Sequence, residues 1–321
     1  MCPKISVIMP AYNAEKYIAQ AIDSILGQTF GDFEFIILND CSTDGTEEII
    51  LSYDDPRIVY LKNENNLGVA ATLNRGLEMA RGEYIARMDA DDISLPQRFE
   101  KQIAYLDAHP EVAVLGTAVE TFGDRNQTIG FSQTNEKLKV DLLFGSCFAH
   151  PSVIMRTAII RSLGGYDREY EGLEDYDLWC RVSEKHALAT LSQVLLRYRV
   201  HPAQVTQTDN PGKQLRYCRL QKRIVRQLGI ETDDTVFHAW CNISKGDPDT
   251  LVACMGFFRR IIGRNQSLQI YDAGYLYASA EAAILRYVDR MPLKQAFSVM
   301  RRCGVNFVSY AVRRLRHYIK R

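Results

Sequence analysis

Asp89, Asp91 and Asp92 follow directly on an apolar run in GEYIARMDADD, residues 82–92. Packed carboxylates repel one another, and each resists leaving water without a positive partner. A divalent cation is the simplest such partner. Carboxylate oxygens suit hard ions such as Mg²⁺ or Mn²⁺, which usually hold one or two carboxylates together with substrate phosphates. The stretch therefore points to a metal site that grips a phosphorylated substrate.

Three other readings fit the same residues. In a calcium loop of the EF-hand type Asp89, Asp91 and Glu100 would be ligands, but Ser94 stands where glycine is needed and a strand precedes the loop. In a phosphatase, a strand would end in DxDx(T/V) with the first aspartate as nucleophile; MDADDI is one residue type away. The plainest reading is a solvated turn that caps the next helix.

Two more polar clusters carry nucleotide chemistry or turn chemistry. They are PAYN, Pro10 to Asn13, and NDCSTDGT, residues 39–46. Tyr12 offers a flat face for a base. Asp40 can accept an N–H from a base such as uracil. Asn13 and Asp44 suit either loop geometry or ribose hydroxyls, since both residue types also form turns. EGLEDYDLW holds Glu171, Glu174, Asp175 and Asp177. Acids in a helix's first turn favour its dipole, and a carboxylate there beside a cleft can also act as general base for a hydroxyl. His201, in RYRVHP, is either a structural histidine or a group at the metal or leaving phosphate.

These residues must be positioned by an alternation of strands and helices. KISVIMP, FEFIILND, RIVYLKN and EYIARM read as strands. AEKYIAQAIDSILGQ, TEEIILSY and NLGVAATLNRGLEMARG read as helices, with Asp44 and Glu47 spaced for a capping box. Continuous apolar strands between helices predict a parallel sheet covered on both faces. Ligands of such sheets bind outside the strands' carboxyl ends. Pro10–Asn13, Asn39–Asp44 and Asp89–Asp92 all lie at such ends and should meet at one rim. A helix from Pro96 to about Ala108, a strand EVAVLGTAV, a helix ended by Gly164–Gly165 and a helix opening near Glu174 follow. TLSQVLLRYRVHP closes this part, and the pattern from Pro211 onward is helical.

Composition is that of a globular chain of 321 residues, 46% hydrophobic and 24% charged. Net charge is zero, but residues 1–210 hold 19 Lys+Arg against 31 Asp+Glu, and residues 211–321 hold 20 against 8. The split predicts an acidic domain over 1–210 and a basic helical region over 211–321. Residues 291–321 carry eight basic residues, no acid and apolar residues near helical spacing. This segment either lies on an anionic membrane surface or packs on the core with a solvated basic face. No nucleic-acid module surrounds it. Phe257, Phe258 and the Tyr271–Tyr277 run offer a further apolar contact surface. No run is long enough to span a bilayer, the N-terminus passes straight into a strand, and the eight cysteines are scattered. Reduced thiols and a cytoplasmic location, peripheral on the inner face of the cell membrane, are therefore expected.

The motifs in this order resemble the inverting family-2 glycosyltransferases of bacterial surface-polysaccharide type, which share the GT-A nucleotide-sugar fold. The resemblance is carried by SVIMPAYNAEKYIAQAIDSILGQT, FEFIILNDCSTDGT, NNLGVAATLNRGLEMARGEYIARMDADD, HPSVIMRTAIIRSLGGYD and EDYDLWCRV, across about residues 4–205. It implies an α/β GT-A domain, with a mostly parallel central sheet, followed by a helical extension. It implies that Pro10, Tyr12, Asn13, Asp40 and Asp89 bind the nucleotide. Asp89 and Asp91 would be the DxD pair, with Asp91 the direct ligand of Mn²⁺ or Mg²⁺ and His201 close to the metal or pyrophosphate. Asp175 would be the catalytic base. Some relatives carry an arginine that contacts the base near the start of the third helix; here that position is Gly68. The expected activity is metal-dependent, inverting transfer of a hexosyl or hexosaminyl group from a nucleotide-diphosphate donor, a UDP-sugar first, to a glycan or lipid-linked acceptor in cell-surface glycan synthesis. The alternatives are the phosphatase and a non-catalytic scaffold on a transferase core.

Overall fold

The computed structural model of the protein describes residues 2–202, 204, 212–230, 240 and 247–304. The chain divides into two compact units. The first runs to Leu138 and resumes over Gly145–Lys213; the second joins Lys139–Phe144 to the described residues from Gln214 onward. The short segment 139–144 thus packs with the second unit, although on sequence it belongs to the acidic part.

In the first unit β1 (Ile5–Ala11), α1 (Ile18–Leu26), β2 (Phe33–Asn39), α2 (Thr46–Leu51), β3 (Ile58–Lys62), α3 (Val69–Met79) and β4 (Tyr84–Arg87) alternate as expected. The strands pair in parallel in the order β3-β2-β1-β4. β2 is buried along its whole length, which fits its largely apolar sequence, and its one charge, Glu34, accepts from the Ser6 hydroxyl and pairs with Arg81. Val7, Met9, Phe35 and Ile37 face the α1 side, where Ile18, Ala21, Ile22 and Ile25 complete the core. Ile8 and Leu38 face α3, and Gly76 lets that helix approach: a Cβ there would come within 2.6 Å of Ile8 Cγ2.

The rest of the sheet is mixed. β5 (Ile93–Ser94), α4 (Arg98–Ala108), β6 (Val112–Gly123), β7 (Gln127–Ile129), α5 (Asn135–Leu142), β8 (Ile154–Arg156), α6 (Thr157–Ser162), α7 (Glu174–Ser183) and β9 (Ala187–Val200) follow. β8 pairs antiparallel with both β4 and β6, β6 runs parallel to β9, and β9 pairs antiparallel with β5. The parallel pattern expected from the first hundred residues is thus the pattern of the sheet's first half. The polar stretch at 120–135 contains a hairpin between β6 and β7.

Several local expectations differ from the structure. Asp44 and Glu47 make no capping box. Gly45 is the N-cap of α2, Asp44 binds the Thr46 N–H and hydroxyl, and Glu47 reaches Tyr60 and Lys62. Cys218 is disulfide-bonded, so the expectation of wholly reduced thiols fails there; Cys2, Cys41, Cys147, Cys180, Cys254 and Cys303 are free.

The second unit contains α8 (Lys213–Arg226), α9 (Pro248–Leu268), α10 (Ala273–Val288) and α11 (Leu293–Cys303). Asp247 and Asp272 cap α9 and α10 through the N–H groups of Thr250 and Tyr275. Phe257, Phe258 and Tyr271 are buried, so they form core and not the contact surface expected of them; of the aromatic residues in that set Tyr277 is the exposed one. α11 buries Ala296, Val299, Met300 and Cys303, one helical face, while Phe297, Arg301 and Arg302 stay outside. The remainder of the basic amphipathic segment, 305–321, lies outside the described residues.

Candidate functional site

β4 ends at Arg87. Met88 N still donates to Ile8 O at 3.1 Å, and the chain then turns through Asp89–Asp92 before β5 joins β9. The turn is fixed from behind by Arg98, which is fully buried and donates to Arg87 O and Val153 O at 2.9 and 3.1 Å. β9 supplies the other side. Arg199 donates its N–H to Asp92 Oδ1 at 2.8 Å and its Nε–H to Asp91 O at 2.7 Å. The guanidinium lies over the rings of Tyr17 and Phe122, 4.4 and 4.3 Å from their centroids. His201 Nε2 is 2.9 Å from Asp91 Oδ2.

Asp89, Asp91 and Asp92 each bring an oxygen within 4.8 Å of the others. Arg87, buried in the floor, ion-pairs with Asp89. Among the described residues Arg87 is the guanidinium ion-paired to these carboxylates, and it meets Asp89 alone. Burial and the Asp89 charge raise the Asp91 carboxyl, and burial with both neighbouring aspartates raises Asp92 well above the ordinary range. Asp92 Oδ2 is buried without a hydrogen-bond partner among the described residues. An all-oxygen group with an unmet acceptor and excess negative charge fits a hard divalent cation. It does not fit a calcium loop: the turn joins two strands, and Glu100 accepts from the Thr29 hydroxyl at 2.8 Å.

Asp175 opens α7 and shares one cavity of about 340 Å³ with Arg87, Asp89, Asp91, His150 and Glu174. Its Oδ2 accepts from Ser146 Oγ at 3.1 Å and its Oδ1 from Tyr176 N at 2.7 Å. Burial raises its carboxyl despite these bonds. Burial and the Asp175 charge push Glu174 up to about 7. Asp177 turns elsewhere and binds Arg181, which in turn holds Leu163 O and Gly165 O. His150 reaches the Tyr166 hydroxyl at 3.0 Å; burial and the Arg87 charge hold it well below the usual imidazole range, hence neutral.

The other two clusters meet as expected. Ala11 pairs with Asn39 at the ends of β1 and β2. Asn13, at φ 49°, donates its N–H to Ser42 Oγ and accepts from Thr43 N at 2.8 Å, so it ties the two loops together. Pro10 lies within β1, and Tyr12 is 52% exposed, its ring free for stacking. Asp40 is buried and largely used. It accepts from Asn63 Nδ2, Leu67 N and Gly68 N at 2.7, 2.9 and 3.0 Å. A carboxylate has about four acceptor sites, so roughly one remains for a base.

The family model described as glycosyl transferase family 2 matches residues 6–162. Over 191 residues the chain is 40% identical to the putative glycosyltransferase EpsE of Bacillus subtilis, covering 57% of this chain and 68% of that protein. The chain belongs to glycosyl transferase family 2. Another relative, the O-antigen biosynthesis glycosyltransferase WbnJ of Escherichia coli, is 34% identical over 206 residues, 61% of this chain and 80% of that one. The crystal structure of S. aureus TarS 1-349 in complex with UDP-GlcNAc superposes with a TM-score of 0.61 at 20% identity, over 91% of this chain and 82% of that one. This likeness shows the fold, GT-A.

Sequence reading of this family-2 glycosyltransferase missed Arg87 and the bracing role of Glu171. Arg87 is a charge inside an otherwise apolar strand, which is itself a signal of a buried ion pair. Glu171 accepts from Val69 N and Ala70 N at 2.6 and 3.1 Å, capping α3 across more than a hundred residues of sequence. The same carboxylate explains Gly68: at φ +84° a Cβ there would meet Glu171 Oε1 at 2.9 Å. Nothing local in the sequence marks that contact.

Proposed function

We propose that this glycosyltransferase moves a sugar from a nucleoside-diphosphate donor, UDP-linked by preference, to an acceptor hydroxyl with inversion at the anomeric carbon. The observation that carries the reading is the single cavity lined by Asp89, Asp91 and Asp175. Asp91 and Asp89 would hold Mn²⁺ or Mg²⁺, with His201 bonded to Asp91. When bound, such an ion supplies Lewis-acid neutralisation of the charge on the departing diphosphate. The chain's own side chains do the rest. Tyr12 stacks on the base, and Asp40 takes a base N–H with its remaining acceptor capacity. Asn13 holds the two loops in register, and Arg87 pairs with Asp89. Asp175 accepts the proton of the acceptor hydroxyl as its oxygen attacks the anomeric carbon. The attack comes from the face opposite the diphosphate, whose bond to the sugar breaks as the new bond forms.

The naming of WbnJ for O-antigen synthesis supports a cell-surface glycan as product and a glycan or lipid-linked oligosaccharide as acceptor. No described helix is long and apolar enough to cross a membrane. The basic stretch 291–321 provides attraction to anionic lipid at the membrane's cytoplasmic face.

Calorimetric titration with UDP and with GDP, each with and without Mn²⁺, tests the reading. UDP binding that needs Mn²⁺ and disappears in Asp91→Ala is expected. Failure of both nucleotides to bind in the presence of metal overturns it.

A further inference from the structure

The second unit contains a cavity of about 460 Å³ that the chemistry above leaves unused. Its volume falls within the range of about 300–1,000 Å³ common to small-molecule sites. Trp240, Tyr217 and Tyr275 supply aromatic wall, and Gln221, Asp141 and Arg286 supply polar wall. These groups are held in place. Tyr275 donates its hydroxyl to Asp141 Oδ1 at 2.8 Å, and Tyr217 donates to Phe144 O. Trp240 is buried against Phe257 and Phe258, with ring centroids 5.1 and 5.4 Å apart.

Gln221 decides what the cavity suits. The residue is 2% exposed, and its Nε2 donates to Leu143 O at 3.0 Å, which fixes the amide's orientation. Its Oε1 is buried without a hydrogen-bond partner among the described residues. A buried, unmet amide oxygen costs free energy that a donor from a ligand would return. An alkyl chain brings no donor and would leave Gln221, Asp141 and Arg286 facing hydrocarbon. A phosphate brings mainly acceptors and a negative charge that would meet the Asp141 carboxylate. A sugar brings hydroxyls, each both donor and acceptor, and C–H faces that lie against aromatic rings.

We propose that this cavity is a carbohydrate-binding site, which holds an oligosaccharide through hydroxyl donors to Gln221 and Asp141, an acceptor to Arg286, and ring contact with Tyr217 and Trp240. The site belongs to the helical unit alone and does not depend on the donor reading. It gives the basic extension a glycan-holding role of its own.

Saturation-transfer NMR on the full chain tests it, with N-acetylchitotriose, maltotriose and tri-galacturonate as probes. At least one probe should bind saturably. Gln221→Leu should weaken it about tenfold, the effect of one lost buried hydrogen bond. Ser279→Trp, which fills the cavity, should abolish it, with thermal melting to confirm that each variant is folded. Asp91→Ala should leave this binding intact, and Gln221→Leu should leave UDP binding intact. Saturation by none of the probes overturns the proposal. So does binding that survives both cavity substitutions, or that disappears in Asp91→Ala, which would place the sugar in the first unit's cleft.

Discussion

Asp40 accepts three hydrogen bonds from its own chain, whereas Asp92 keeps a buried oxygen with no partner among the described residues. Both lie just past the carboxyl end of a parallel strand, and both belong to clusters rich in small polar residues. The 39–46 loop spends its acids on backbone N–H groups: Asp40 on Leu67 and Gly68, Asp44 on Glu15 and Thr46. The 89–92 turn crowds its acids with few donors, and the Asp91 and Asp92 carboxyls rise accordingly. A carboxylate met by its own chain is architecture. A carboxylate left short is an invitation to an ion or a substrate.

Asp175 sharpens the contrast most, because it is met in part by Ser146 and Tyr176 yet still raised by burial. Asp175→Asn should lower kcat by about 10²–10⁴-fold, the usual contribution of a general base, while UDP binding persists. In the wild type, kcat/KM should fall as pH drops through a point above the ordinary carboxylate pKa of about 4, because protonation removes the base. Near-normal turnover by the asparagine variant would remove Asp175 from the mechanism.

Asp40 tests the other side. Asp40→Ala takes an acceptor from the Leu67 and Gly68 N–H groups and from the buried Asn63 amide, and should cost about 1–2 kcal/mol in chemical denaturation. A loss confined to donor binding, with stability unchanged, would put Asp40 with the short-of-donors group instead.

Glu174 is expected to show a smaller effect with a definite sign. Its folded-state pKa, near 7, lies above the ordinary glutamate value. The folded state therefore binds its proton more tightly, and stability is lost as pH rises from about 4.5 to about 7. Glu174→Gln should remove that loss, stabilising the protein by on the order of 1–3 kcal/mol at pH 8 and little at pH 5. Equal melting shifts at both pH values would break the assignment. The smallest effect is at Tyr12. Tyr12→Ala should weaken UDP binding by about 1 kcal/mol, several-fold in Kd, with kcat nearly unchanged.

The first half of the sheet was legible because its signals are local. An apolar strand, a polar turn and an amphipathic helix are each written in consecutive residues, so β1 to β4 and the three polar rims could be placed from sequence. In the mixed half the strands were legible but their pairing was not, because β8 contributes three residues between two partners far away in the chain. The site divides the same way. Tyr12, Asp91 and Asp175 stand in short motifs, but whether a given aspartate is satisfied depends on donors that arrive from elsewhere. Asp40 meets Leu67 and Gly68, and Asp92 meets Arg199. The capping box failed for this reason too: Tyr60 and Lys62, on a neighbouring strand, outcompete the local partner for Glu47.

Four consecutive amides, from Leu67 to Ala70, are gripped in pairs by carboxylates from opposite directions. Asp40 takes the first two and Glu171 the last two. Asp40 belongs to the loop that Asn13 ties to the end of β1, and Glu171 stands three residues before the helix that opens with Glu174 and Asp175. The stretch is thus a common bracket bolted to both walls of the cleft. A strut of this kind conveys displacement: loosening either bolt frees one wall to drift relative to the other, although neither carboxylate need touch a substrate.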